Sequence, residues 1–376
     1  MKKVLITGGA GFIGSNLVLA LKDSYEVYVL DNLDPQIHGQ KGEESYTYNL
    51  IKNNCHFIHG DVCDKENWQN ALNFGIDTIV HLAAQTGTGQ SMYEAESNTR
   101  NNCLGTAILG DLLQKNDTVQ KIVLASSRSI YGEGKYVNEL GHIIYPDSRN
   151  ANDLEKGEFE CLDPKTGRAL LVQPTDEDSK IRPISTYALT KYFQENYLES
   201  LCKTNNISFF GLRFQNVYGP GQSLKNPYTG IISIFSQRIR KKQDIYIFED
   251  GKESRDFVYI DDVINALKSA VNHDTMTNQI LNVGFGKPTS VYEVASTLKD
   301  LICEDSNLII NGQYRIGDIR HNFADISKIQ DVLNFQPQFD IKTGLKNFVN
   351  WLITQDEEPD LYLKSLEELK EKGLLK

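Results

Sequence analysis

The sequence predicts an α/β protein built on a doubly wound parallel sheet, followed by a smaller mixed α/β domain. Short apolar runs suited to strands buried on both faces recur at Val4–Ile6, Val27–Leu30, His56–His59, Asp77–Ala84, Lys121–Ser126 and Ile207–Arg213. Stretches with helical spacing separate them, as in Phe12, Ile13, Leu17, Val18 and Leu21. Strands alternating with helices at this rhythm make a parallel sheet covered on both faces. The rhythm stops near Asn216. That divides the chain into 1–215, with a long polar insertion at 133–182, and a second domain, 216–376, partly interleaved with the first.

The first strand breaks at Thr7-Gly-Gly-Ala-Gly-Phe-Ile-Gly14, and Gly8, Gly11 and Gly14 fall at the turn. A tight turn, a close approach of backbone to pyrophosphate, and close packing of helix on strand all demand glycine. Phe12 and Ile13 then open a helix whose N–H groups face the phosphates. The second strand ends in Asp31-Asn32, where an acidic side chain accepts from a ribose hydroxyl and repels a 2′-phosphate. This favours NAD over NADP. A polar segment, 32–54, reads as a loop with one short helix at most. The third strand ends in Gly60-Asp61-Val62, at the edge where such sheets bind ligands, so Asp61 is placed to meet an adenine amino group. The alternative for Asp61 is an N-cap of the helix Lys65–Leu72. Leu82, Ala83 and Ala84 end the fourth strand and leave room for a cofactor; His81 reads as a packed or surface histidine rather than a catalyst. Helical spacing covers Ser91–Gln114 (Leu104, Ala107, Ile108, Leu112).

Ser126-Ser-Arg-Ser-Ile-Tyr-Gly132 stands at the tip of the fifth strand, where catalytic groups on such sheets gather. In the insertion, Phe159–Leu170 resembles a hairpin turning at Lys165–Gly167, and a loop this long implies a lid or a small subdomain. Beyond it, Tyr187 and Lys191 lie four residues apart in a segment that reads as helix, hence on one face. A tyrosine is a poor base, since its ordinary pKa is about 10. Reaching 7 takes roughly 4 kcal/mol of preferential stabilisation of the phenolate. A lysine ammonium one turn away and a nicotinamide ring supply charge of that order in a partly dry site. Ser127, Tyr187 and Lys191 therefore make a proton-transfer unit beside a hydride acceptor.

The net charge of −11 argues against nucleic acid or an anionic membrane as the main partner. Six cysteines occur without a CxxC pair, so neither a metal site nor a disulfide framework is expected. No signal peptide precedes Val4 and no apolar run is long enough to span a bilayer, so the cytoplasm is the expected compartment.

Taken in order, these stretches resemble the extended short-chain dehydrogenase/reductases, and among them the nucleotide-sugar epimerases and dehydratases. The residues that carry the resemblance are Thr7 to Gly14, His81-Leu-Ala-Ala84, Ser126 to Gly132, Tyr187-xxx-Lys191, Leu212 to Pro220 and Arg255-Asp-Phe-Val. It runs from Lys2 to about Pro337. It implies a Rossmann fold, bound NAD, an NDP-hexose substrate, and a homodimer formed through the helices containing Tyr187 and Ser91–Gln114. It also implies that Asn216, Arg255 and Arg320 contact the nucleotide diphosphate or its neighbours, with Ser129 at the substrate; guanidinium forks suit a diphosphate.

The dehydratases of that family place an Asp-Glu pair directly after the catalytic serine or threonine. Here Arg128 and Ser129 stand there, and the marker glutamate of the decarboxylases and cysteine of the 3,5-epimerases are absent too. Oxidation and re-reduction of one carbinol, most often C4, remains. Ser223 to Phe235 and the insertion resemble the subgroup acting on dTDP-L-rhamnose. On sequence alone a 2-epimerase, an NADPH-dependent keto-sugar reductase and a non-catalytic NAD sensor stay open.

Overall fold

The computed structural model describes residues 1–226, 230–358 and 362–376. Its centre is a parallel sheet of seven strands: β1 (Lys3–Thr7), β2 (Glu26–Asp31), β3 (His56–His59), β4 (Thr78–His81), β5 (Lys121–Ser127), β6 (Ser208–Phe214) and β7 (Asn278–Val283), in the order β7-β6-β5-β4-β1-β2-β3. The order reverses between β1 and β4, so the crevice beyond their carboxyl ends is where ligands bind on such a sheet. β5 and β6 are buried along their whole length, as expected for strands covered on both faces. One apolar core, including Val4, Ile6 and Val29, runs on into the second domain; another, around Trp68, Leu109 and Phe209, fills the opposite face.

β7 departs from the expected loss of rhythm. Residues 278–283 return to the large sheet beside β6, and the preceding helix Ile260–Asn272 packs against α1 (Phe12–Leu21). The strand is polar where a buried strand is normally apolar because Asn282 is bonded on both sides. Its amide donates to the carbonyls of Thr175 and Asp325 at 2.9 and 3.2 Å, and it accepts from the Tyr131 hydroxyl at 2.8 Å.

Segment 32–54 holds more helix than expected: Pro35–His38, Gly42–Glu44 and Tyr46–Ile51. Asp34 starts the first piece by accepting the Gln36 N–H, with Pro35 preset for a helix start. The stretch 91–114 is helical but broken. A π turn, Thr99–Leu104, precedes α2 (Gly105–Leu113), and from it Asn102 reaches inward to the backbone of Gln85 and to Thr190. The helix carrying Tyr187 is α3 (Thr186–Thr204), capped by Ser185.

The insertion is a small subdomain. Tyr136–Val137, Ile143–Ile144 and Leu171–Val172 form an antiparallel sheet of three strands, and Leu162 bridges Ala169 across the expected hairpin. It is sewn to the second domain, for Thr175 pairs with Ala324. Residues beyond β6 also add short strand pairs and the helices Ile231–Arg240, Val291–Ile302 and Ile341–Leu352. The tail helix Tyr362–Glu371 packs back on them, and Leu375 bridges Arg315. Pro227–Thr229 of the stretch 223–235, and residues 359–361, lie outside the described residues. Among the described residues no helix is long and apolar enough to cross a membrane.

Candidate active site

A single cavity of about 1080 Å³ runs from the glycine turn, past the tip of β5, into the second domain. Sites for one ligand are commonly about 300–1,000 Å³, so this one has room for a dinucleotide and a second ligand end to end.

The dinucleotide end is shaped by backbone. Gly8 has φ +68°, and a Cβ built on it would lie 2.8 Å from the Ala83 nitrogen. A Cβ on Gly14 would fall 2.3 Å from the Gly8 carbonyl oxygen. Only glycine permits either crossing. α1 begins at Phe12 with no side chain capping its first turn, so its amide donors suit a pyrophosphate. Gly11, Phe12, Ile13, Asn32, Val62, Leu82, Ala83 and Ala84 all line this part. Asp31 is buried and fixed, accepting the N–H groups of Ala10 and Leu33 at 2.9 and 2.8 Å. Burial pushes its pKa up, against those two N–H groups and His38. Each oxygen keeps a lone pair for a ribose hydroxyl. These residues fit an NAD molecule. Asp61 also lines the cavity and accepts the Cys63 N–H at 2.7 Å. The capping alternative for Asp61 is overturned, because Asp64 caps Lys65–Leu72. His81 is packed: Thr7 and Thr106 hold its ring nitrogens at 2.8 and 3.1 Å, and burial lowers its pKa to about 3.

Ser127, Tyr187 and Lys191 come together in mid-cavity. Ser127 sits beside the Tyr187 phenol and lowers its pKa, and its Oγ accepts the Ser129 N–H at 3.2 Å. Lys191 Nζ lies 5.9 Å from the centre of the Tyr187 ring and donates to the Ala125 carbonyl at 2.9 Å. The electrostatics differ from the expectation built on Lys191. Burial pushes the phenol above its ordinary pKa, and what opposes it is Ser127 and the charge of Arg128. Burial also draws the Lys191 ammonium down to about 7.

A buried network that sequence reasoning missed holds the β5 tip against α3. Ser126 donates to Glu195 at 2.8 Å, Arg213 Nε donates to the same carboxylate at 3.0 Å, and Arg213 Nη1 donates to the Tyr131 hydroxyl at 2.7 Å. Fully satisfied networks of this kind fix geometry.

At the far end Asn216, Ser129 and Arg255 line the cavity, but Arg320 does not. Arg320 is 0% exposed, and its guanidinium donates to Glu160, Glu249 and Asp250 at 2.6–3.0 Å. It is spent on holding the insertion to the second domain, which overturns the expected substrate contact. The arginine of the same stretch that does face the cavity is Arg315, stacked 4.8 Å over Phe248. Gly317, at φ +79°, turns the chain between the two. Arg255 is tightly held, its terminal N–H groups donating to Asp318 and to the carbonyls of Ser254, Ile319 and Arg320. Beyond them Tyr246, Phe248, Trp351 and the tail residues Tyr362 and Leu369 close the cavity.

Comparison with known proteins agrees with this geometry. Residues 4–151 and 164–284 match the NAD dependent epimerase/dehydratase family. The chain is 36% identical over 354 residues to a dTDP-L-rhamnose 4-epimerase of Burkholderia thailandensis, covering 93% of this chain and 95% of that one. It is 34% identical to a putative UDP-glucose 4-epimerase of Methanocaldococcus jannaschii, covering 93% and 98%. A solved UDP-glucose 4-epimerase with UDP-glucose from Thermotoga maritima superposes with a TM-score of 0.77 at 28% identity, covering 94% and 99%. With the match reaching from β1 through the whole large sheet, the chain belongs to the NAD dependent epimerase/dehydratase family.

Proposed function

We propose that this protein is an NAD-dependent nucleotide-sugar epimerase that inverts C4 of an NDP-hexose through a transient keto sugar. The observation that carries the reading is one continuous cavity with the glycine turn at one end, Arg255 and Arg315 at the other, and Ser127, Tyr187 and Lys191 between them. The similarity over nearly the full chain to a dTDP-L-rhamnose 4-epimerase, and to a protein described as a putative UDP-glucose 4-epimerase, supports it.

When bound, the nicotinamide supplies the hydride acceptor and donor, so no net redox occurs. Gly8, Gly11 and Gly14 hold the pyrophosphate, Asp31 the adenosine ribose, and Asp61 the adenine. Ser127 orients the C4 hydroxyl. Tyr187 takes its proton and returns one after the keto sugar has turned over in the pocket. Arg255 and Arg315 carry positive charge to the diphosphate, with Asn216 and Ser129 beside the substrate, and Tyr246 and Phe248 wall the nucleobase. The absence of an acidic pair after Ser127 leaves the C5 and C6 protons untouched.

The test is incubation with a panel of dTDP- and UDP-hexoses, headed by dTDP-6-deoxyhexoses, with products read by NMR. Inversion at C4 without added cofactor is expected. Inversion at C2, or turnover only with added NADPH, would refute it.

The protein is also proposed to act as a homodimer. Leu104, Leu189 and Phe193, 49%, 56% and 39% exposed, present apolar surface on the π turn and on α3. Replacing Leu189 and Phe193 together by Asp is expected to give a monomer in sedimentation, whereas an unchanged particle mass would place any interface elsewhere. Six unpaired cysteines suit a cytoplasmic location.

A further inference from the structure

Arg128 follows Ser127 directly and opens the turn Arg128–Tyr131 beyond β5, half-buried in the wall of the same cavity as Tyr187. Among the described residues, each of the other lysines and arginines of that wall has a side-chain contact, Arg315 only that with a ring. Lys191 donates to the Ala125 carbonyl, Lys225 pairs with Glu358 at 3.2 Å, Arg255 is bonded through its terminal N–H groups, and Arg315 lies over Phe248. Among the described residues Arg128 has no hydrogen bond, ion pair or ring contact.

A guanidinium taken from water without a partner is costly. Burial, and repulsion from Arg255, lower its pKa to about 10, so it still carries its charge at neutral pH. The groups whose charge favours the Arg128 cation are Asp318, Glu133 and Tyr187, and Tyr187 lines the same cavity beside Ser127. Asp318 is already paired with Arg255 at 2.9 Å. Glu133 accepts the Arg320 N–H at 2.7 Å and lies 3.4 Å from Arg149. Tyr187 is the remaining one, and in the proposed reaction its charge changes.

We propose that Arg128 is a further positioning residue of the proton transfer, whose fixed charge stabilises the Tyr187 phenolate alongside Lys191. This rests on Tyr187 being the base in the reading above. The groups acting on the pair come from several elements. Ser127 and Arg128 face the phenol from the β5 tip, and Lys191 from its own helix. Cys103 and His81 lie near Lys191, from the π turn and β4, while Arg255, Asp318 and Glu133 act on Arg128. In this neighbourhood Arg128 is the unengaged cation.

The experiment titrates the protein as isolated, with its NAD, and follows tyrosinate absorbance. The Tyr187→Phe trace is subtracted in each background, so that the Tyr187 titration is read without substrate. Arg128→Gln is expected to raise the Tyr187 pKa by about one unit, a tenfold loss of phenolate at a given pH. Arg128→Lys, which keeps the charge, should retain most of the wild-type value. Arg128→Met serves if the glutamine variant does not fold, with the same expectation. In turnover, the acidic limb of the pH profile should move up by the same amount, with the rate recovering at higher pH. An unshifted phenol in the uncharged variants, or equal shifts in the lysine and glutamine variants, overturns the proposal. A shifted phenol in a protein that turns over no NDP-sugar keeps the charge pairing and sinks the epimerase reading instead.

Discussion

Tyr187→Phe is expected to lower epimerisation by about a thousandfold while leaving NAD bound, in line with what a positioned general acid–base group contributes. The substitution removes one oxygen and little else. The ring keeps its place, because the Tyr187 N–H still donates to Ser91 Oγ at 3.1 Å and Ala188 below it stays fully buried. The cofactor end is untouched: the glycine turn, Asp31 and the Lys191 bond to Ala125 do not involve the phenol. Turnover is read by NMR on the best substrate of the panel, and NAD by its release on denaturation. A variant that keeps a near-normal rate would remove Tyr187 as the base. One that loses NAD as well would show the residue to be part of the cofactor's support.

The parts of this site that the sequence discloses are those set by neighbours along the chain. The strand–glycine–helix unit is legible because its turn spans a few residues and Gly14 packs on Gly8 and Gly9, although the Gly8 crossing is closed by Ala83, from just beyond β4. Ser127 and the pair Tyr187 and Lys191 are legible because a strand tip and a helix face are local geometries. What fails is what depends on distant segments. Arg315 and Arg320 share one short stretch and one residue type, and the choice between them is made by acids 160, 71 and 70 residues from Arg320. Arg315 left a weak signal: Gly317 lies between the two arginines and turns the chain. β7 hid for a related reason, since Asn282 tolerates burial only through bonds to Tyr131, Thr175 and Asp325. The phenol's surroundings are hidden for the same reason, because helical spacing shows Lys191 but not that burial depresses its ammonium, or that Arg128 lacks a partner among the described residues.

Arg320→Met should destabilise the fold by about 3–5 kcal/mol at neutral pH, the usual cost of breaking a buried ion pair by removing one partner. The loss is large because Arg320 is fully buried and binds three carboxylates at once, although His321 also holds Glu160, Arg149 holds Glu249 and the Lys252 N–H holds Asp250. Burial alone would raise the pKa of Glu160, yet hydrogen bonds from His321 and Arg320, with their charges, bring it down to about 2. Asp250 is likewise raised by burial and brought to about 2, chiefly by Arg320 and the Lys252 N–H. A folded-state pKa below the ordinary 4.5 of Glu160 and 3.8 of Asp250 stabilises the native state above those values. That contribution fades as pH falls from about 4.5 towards 2. In the methionine variant the two carboxyls lose their cation, and protonation relieves them. The gap between wild type and variant, read from urea midpoints across pH, should therefore be widest near pH 7 and close on acidification. A gap that stays constant with pH would mean that Arg320 acts through packing alone. A gap under about 1 kcal/mol at neutral pH, the scale of an exposed pair, would mean that the insertion is held by its other ties, the Arg149–Glu249 pair and the Thr175–Ala324 pairing, and not by Arg320.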